Sequence, residues 1–373
     1  MRKQKILILS WRGPGHPNAG GAELSTHEHA KAWVKAGHSV TLFTSYFKGG
    51  KEEESIDGVN IIRKGSDVFG VHILAFIWYV FGRHAKFGLV IDQFHGIPFF
   101  TPLYVWTKKL AFIHEVTKEV WWFNPWPVPF NLIPAVIGTV FERFIFTILY
   151  RKIPFMTVSE STKKELVKWG IPKGNITIVH NGVSVINVKV QKENRNTAIY
   201  LGALTKDKGI EDVIKVFDLI NRRDSSWQFW IVGKGNPGYL NCLNRKIRKF
   251  NLGSKIRFWG FVDQKKKFEL LARAHILINP SIREGWGLVN IEANSVGTPV
   301  VAYNVPGCKD SVKNGFSGLL SEGGNIGALV SNTIKLVCSK REYNRIQKNA
   351  ISWGKRFSWL KATEESLKLL ESF

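Results

Sequence analysis

The chain has 373 residues, 44% hydrophobic and 22% charged, a globular composition that excludes intrinsic disorder as its main state. Its 53 Lys and Arg against 29 Asp and Glu give a net charge of +24, which favours anionic partners: nucleotide phosphates, nucleic acid or anionic lipid. Cys242, Cys308 and Cys338 stand far apart with no CxxC pair, which argues against a disulfide scaffold or a zinc knuckle and makes a reducing compartment the default.

The basic N-terminus leads into a short apolar run, Ile6 to Leu9, too short for a signal peptide and suited to a first buried strand. Further strands are predicted at 39–44, 59–63, 88–93, 110–114, 154–158 and 176–180, then at 197–202, 227–233, 256–260, 275–279 and 299–303. Several are continuous Val/Ile/Leu runs, as parallel strands covered on both faces require. Helical stretches lie between them. One spans 160–169, after Ser159 as N-cap and before Gly170; others span 264–273 after Asp263 and 288–296 before Gly297. The pattern restarts near residue 185, and 184–196 is polar and lacks helical period. The expectation is an α/β protein of two Rossmann-like domains, 1–185 and 186–358, facing a central cleft, with a helix at 359–373 packing back on the first domain.

Residues 68–150 are aromatic-rich, with Trp121-Trp122-Phe123 and Trp126 ahead of an apolar helical face at 134–150. His72 interrupts 68–82 and Glu142-Arg143 divides 132–150, so neither stretch holds the roughly 18 uninterrupted apolar residues of a spanning helix. A core helix is one reading. The Trp-rich flank and the following Arg151-Lys152 favour the other, peripheral membrane association through 118–152.

The most informative stretch runs from Asn279 to Ala293. A buried strand ends at Pro280, a turn carries Glu284, and Gly285 and Gly287 flank Trp286 before a helix begins near Leu288. The amides of that helix start form a seat for phosphate. Glu284 and Glu292, eight residues apart, place a carboxylate on either side of it. This stretch resembles the E-x7-E motif of retaining glycosyltransferases of family 4, which have the two-Rossmann GT-B fold. The resemblance continues through Gly297-Thr298-Pro299 and Pro306-Gly307, and upstream through Tyr200-Leu201-Gly202-Ala203 to Lys208-Gly209, Gly233-Lys234-Gly235 and Trp259-Gly260-Phe261. Near the N-terminus, Gly20-Gly21-Ala22-Glu23 resembles the family's glycine-rich loop.

The resemblance implies a metal-independent hexosyltransferase without a cofactor, acting on a nucleotide-sugar donor. Glu284 would bind donor-sugar hydroxyls, Glu292 the nucleotide ribose and Lys208 the diphosphate. His114 would face the donor sugar. Gly20, Gly21, Gly202, Gly233, Trp286, Gly287 and Leu288 would complete the donor site, with Glu23 held only as a first-turn helix charge. The family usually has Arg where this chain has Ala203, so Lys206 and Lys234 are candidate replacements for that cation. The implied acceptor is a lipid-linked saccharide or polyprenyl-linked glycan at the cytoplasmic face of the membrane. Two rivals stay open: a nucleotide-sugar epimerase of the same fold, and a basic nucleic-acid-binding protein. Against the latter, the aromatic residues cluster away from the basic runs 245–249 and 265–267, and no nucleic-acid partner is expected.

Overall fold

The computed structural model describes residues 3–67, 69–94, 96–123, 129–184 and 190–373. It divides into two compact units, Met1–Gly182 with Trp359–Phe373, and Val183–Ser358.

The first unit carries a sheet of eight strands: β1 (Lys5–Ser10), β2 (Ser39–Thr44), β3 (Glu53–Ile56), β4 (Val59–Arg63), β5 (Leu89–Phe94), β6 (Lys108–Ile113), β7 (Phe155–Thr157) and β8 (Ile176–Ile178). Their order is β3-β4-β2-β1-β5-β6-β7-β8. Every pairing is parallel except β3 with β4, an antiparallel hairpin that the apolar pattern missed. Ile6 to Leu9 and Leu89 to Ile91 are fully buried, as central strands covered on both faces require. Helices α1 (Gly21–Lys35), α2 (Phe69–Phe81), α3 (Leu132–Ile145) and α4 (Glu160–Lys168) connect them. Ser159 caps α4, its Oγ accepting from Thr162 N.

The second unit is a sheet of β9 (Thr197–Leu201), β10 (Gln228–Val232), β11 (Ile256–Gly260), β12 (Ile276–Asn279), β13 (Val300–Tyr303) and β14 (Gly318–Ser321), ordered β11-β10-β9-β12-β13-β14 and parallel throughout. Helices α5 (Ile210–Arg223), α6 (Pro237–Lys249), α7 (Gln264–Arg273), α8 (Leu288–Ser295), α9 (Cys308–Ser311), α10 (Ile326–Cys338) and α11 (Lys340–Gly354) surround it. Val183 already belongs here, its N–H donating to Phe357 O at 3.1 Å. Residues 190–196 are bound to this unit as well: Glu193 pairs with Arg273 at 2.5 Å, and Lys192 Nζ donates to Ala274 O at 2.5 Å and Thr298 Oγ1 at 2.9 Å. Residues 185–189 of the expected crossover, like Trp126, lie outside the described residues.

The last helix, α12 (Trp359–Leu370), packs on α1 of the first unit. Trp33 Nε1 donates to Ser366 Oγ at 3.0 Å, and His29 Nδ1 lies 3.0 Å from the same oxygen.

Two expectations about the apolar segment change. Glu142-Arg143 does not divide it: α3 continues into a π turn, Phe146–Tyr150, and the 19 residues Leu132–Tyr150 are long and apolar enough to cross a membrane by length and composition. Glu142 fits because its carboxylate is turned inward, accepting from Thr117 N (2.6 Å), Lys118 N (3.0 Å) and Trp121 Nε1 (3.0 Å). Trp121 is accordingly a packing residue, its ring lying so close to Gly138 that a Cβ there would stand 2.2 Å from it. Trp122 and Phe123 remain exposed.

Candidate functional site

The candidate site of the second unit is built at the carboxyl ends of its strands. β12 ends at Asn279, whose Nδ2 donates to Asn290 Oδ1 at 2.9 Å; Asn290 Nδ2 in turn donates to Ser311 Oγ at 2.9 Å. These buried amides tie the strand end to the first turn of α8 and to α9, and fix the loop between them. Within that loop, Ser281 N donates to Asn279 Oδ1 at 3.2 Å and Glu284 N to Pro306 O at 3.1 Å.

Glu284 is held from two sides. Ser281 Oγ donates to its Oε1 at 2.7 Å, and Lys208 Nζ lies 3.0 Å from its Oε2. Lys208 stands on the loop between β9 and α5, so two loops far apart in sequence meet in one ion pair. Both side chains keep solvent access, at 26% for Lys208 and 17% for Glu284. An incoming anion can therefore compete for the lysine.

Gly287 is the N-cap of α8, with φ +79° and no capping side chain. The left-handed backbone suits glycine, and an added Cβ would stand 2.7 Å from Asn290 Nδ2 and 2.8 Å from Ser311 Oγ. An uncapped helix start is a ready seat for an anion. Leu288 opens this helix, and Trp286 is buried beside it with its ring edge-on to Phe357 at 5.0 Å.

Glu292 lies on α8, 6% exposed, and pairs with Lys267 of α7 at 2.5 Å. Burial raises its carboxyl above the usual range, and the Lys267 ammonium opposes the rise. Burial also pushes the neighbouring Cys308 thiol up, making it a packing group rather than a nucleophile.

Three more loops adjoin at this edge. Gly202 N donates to Val232 O at 3.0 Å, Gly233 N to Gly260 O at 2.8 Å and Leu204 N to Lys234 O at 2.9 Å. Ala203 is exposed, and Tyr200 Oη donates to its carbonyl at 2.6 Å. Of the two candidate replacement cations, Lys234 places its ammonium 5.3 Å from the centroid of the Phe261 ring. Lys206 is exposed and acts electrostatically on Glu211. The structure brings together Lys208, Glu284 and the start of α8, with Glu292 one turn along; it pairs neither Lys206 nor Lys234 with them.

In the first unit, Gly20 is the N-cap of α1 and its N–H donates to Glu23 Oε2 at 2.7 Å. Glu23 thus satisfies the N-cap amide with its own carboxylate, while the glycine offers no side chain to return a bond. Gly21 opens the helix. His114 follows β6, buried, its ring 4.3 Å from that of Phe112 and its carbonyl accepting from Thr162 Oγ1 at 3.2 Å.

Sequence reasoning missed Lys267 as the partner of Glu292, because it sits in the run Lys265-Lys266-Lys267. It gave no role to Asn279, Asn290 or Ser311. Contrary to expectation, the aromatic residues are not all clustered away from the basic runs. Aromatic and basic side chains do interleave in the second unit: Arg257 stacks on Trp259 at 3.7 Å, Lys266 lies 5.1 Å from that ring, and Arg273 lies 5.7 Å from Trp230.

The fold is shared with solved structures along nearly the whole chain. Sucrose-phosphate synthase from Thermosynechococcus elongatus superposes with a TM-score of 0.81 at 19% identity, covering 99% of both chains. Anabaena HepE in complex with UDP and glucose gives 0.75 at 16% identity, covering 99% of this chain and all of the other. Two α/β units with largely parallel sheets and these likenesses define the GT-B fold. Residues 19–185 match Glycosyltransferase Family 4 and residues 185–353 match Glycosyl transferases group 1. The chain belongs to the family 4, group 1 glycosyltransferases. Among relatives of known activity, the glycogen synthase of Mycobacterium tuberculosis is 25% identical over 345 residues, covering 84% of this chain and 81% of that one.

Proposed function

We propose that this glycosyltransferase moves a hexose from a nucleotide-diphosphate donor to an acceptor hydroxyl with retention of anomeric configuration and without a metal ion. The observation that carries the reading is the Lys208–Glu284 ion pair at 3.0 Å beside the uncapped start of α8. A diphosphate seated at that helix start attracts Lys208. Glu284 is then free to accept hydrogen bonds from the sugar and to face positive charge developing at the anomeric carbon. Glu292, fixed on the same helix, accepts from the ribose hydroxyls. In the first unit, His114, Gly20 and Gly21 are the candidate donor-binding residues. The acceptor oxygen bonds to the anomeric carbon as the bond to diphosphate breaks, and its proton passes to a leaving phosphate oxygen. HepE, crystallised with UDP and glucose, supports a nucleotide donor.

The acceptor is a lipid-linked saccharide or polyprenyl-linked glycan, reached at the cytoplasmic membrane face through 118–152. Supporting this, Leu132–Tyr150 exposes Ile133, Val136, Ile137, Val140, Phe141, Phe144 and Ile148, while Ala135, Glu142, Phe146 and Tyr150 are buried against the unit. With one side held to the unit, this helix offers its other, apolar side to a bilayer surface.

Turnover of UDP-, GDP- and ADP-hexoses by the wild type, Glu284→Gln and Lys208→Ala tests the reading, with anomeric configuration followed by NMR. Each substitution is expected to lower turnover at least ~100-fold, as loss of a charge-stabilising group does. Wild-type rates in both variants would refute it. Flotation with anionic liposomes at low salt tests the membrane contact, and protein left wholly in the soluble fraction would refute that part.

A further inference from the structure

A pocket of about 520 Å³ opens near the carboxyl ends of β2 and β4, lined by Tyr46, Phe47, Lys48, Glu52, Lys64 and Leu74 among others. Ligands of open parallel sheets bind at this end. One wall is shared with the loop between β1 and α1: Arg63 Nη2 donates to Pro14 O at 2.9 Å, and the His16 and Phe47 rings meet edge-on at 5.4 Å. The pocket therefore adjoins the glycine-rich loop of the first unit.

Its charges do not cancel. Arg63 is committed to Glu54 at 2.5 Å and to the carbonyls of Lys51 and Pro14. Lys48, exposed, and Lys64, half-buried, make no ion pair among the described residues. Two ammonium groups thus stand against the one remaining carboxylate in the lining, Glu52. Leu74 joins this pocket to α2, where Phe69, Ile73, Ile77 and Val80 are 66%, 58%, 44% and 43% exposed. Their spacing of i, i+4, i+8 and i+11 makes one apolar stripe.

We propose that this pocket binds the anionic head of a phosphorylated amphiphile, its phosphate drawn by Lys48 and Lys64 and its hydrocarbon laid along the stripe of α2. The proposal rests on the sugar-transfer reading, in which the amphiphile carries the acceptor. Free phosphate would leave the stripe uncovered. A neutral hydrocarbon would leave the excess of lysine charge over Glu52 uncompensated.

The test is calorimetric titration of the full chain with farnesyl phosphate, farnesol and inorganic phosphate. Farnesyl phosphate is expected to bind at least ~10-fold more tightly than either of the others, and Lys48→Ala and Lys64→Ala to weaken it about 10-fold each, with Lys64→Arg restoring most of the loss. Farnesol or inorganic phosphate binding as tightly as farnesyl phosphate would overturn the proposal, as would unchanged affinity in both alanine variants. Lysine-dependent binding by a protein that turns over no nucleotide sugar would refute the transfer reading alone. Nucleotide-sugar turnover without lysine-dependent binding would refute the pocket alone.

Discussion

Replacing Lys267 by Met leaves the buried carboxylate of Glu292 without its counter-ion. The pair is 16% and 8% exposed, so water offers little compensation. Breaking a buried pair from one side costs about 3–5 kcal/mol when the remaining group stays charged. We take about 3 kcal/mol, because the lysine end keeps some solvent. For a unit of this size, each kcal/mol shifts Tm by roughly 2–4 °C, giving a loss of about 6–12 °C. The sign with pH follows from protonation. Burial already raises the folded-state carboxyl above its unfolded value, and removing Lys267 raises it further. The folded variant therefore holds the carboxyl proton more tightly than folded wild type, and the gap between the two proteins opens as pH rises above the wild type's own raised folded-state value. Thermal melts of wild type and Lys267→Met should differ widely at pH 8 and little at pH 5. An equal gap at both pH values would refute the argument, showing that the lysine stem's packing matters rather than its charge.

Other outcomes follow from the same geometry. Lys192, its ammonium pushed down to about 7 by burial, binds fewer protons folded than unfolded between that value and about 10.4, so its contribution to stability rises with pH across that window. In urea melts, wild-type stability relative to Lys192→Met should grow by about 1.4 kcal/mol per pH unit above pH ~7, and a flat difference would contradict this. Glu142→Ala strips the acceptor from two backbone amides and the Trp121 indole; a loss of roughly 3 kcal/mol, with faster proteolysis near Lys118, is expected, and wild-type protease resistance would exclude the pinning role. Gly287→Ala must fit a Cβ against Asn290 and Ser311 at positive φ, costing about 1–2 kcal/mol and weakening nucleotide binding; UDP affinity equal to wild type would remove the α8 start from the site.

Much of this architecture was legible because parallel strands write themselves as apolar runs. β3 escaped because Glu53-Glu54-Ser55-Ile56 is polar and pairs only at an edge; its signal was the Asp57-Gly58 turn, with φ +53° and +81°. β14 escaped because it is four residues opening on Gly318. Glu284 and Glu292 stood out by spacing, but Lys267 did not. Within the run 265–267, only the helix rotation separates Lys266, which pairs with Glu269, from Lys267, which turns toward α8. The Asn279–Asn290–Ser311 chain of bonds joins residues up to 32 apart, and nothing local announces it. The inward turn of Glu142 was hidden for a related reason: a charge in an apolar helix looks like an interruption until its three donors are known.

The first unit takes its final helix from the end of the sequence, with Ser366 Oγ bonded by Trp33 and in contact with His29. During synthesis the first unit therefore cannot be completed until Trp359–Leu370 has been made, after all the elements of the second. The second has all its strands once Ser358 has left the ribosome, while the first still waits with the docking face of α1 bare. A nascent chain stalled before Trp359 would show that face to chaperones, and a deletion at the far C-terminus would damage the N-terminal unit.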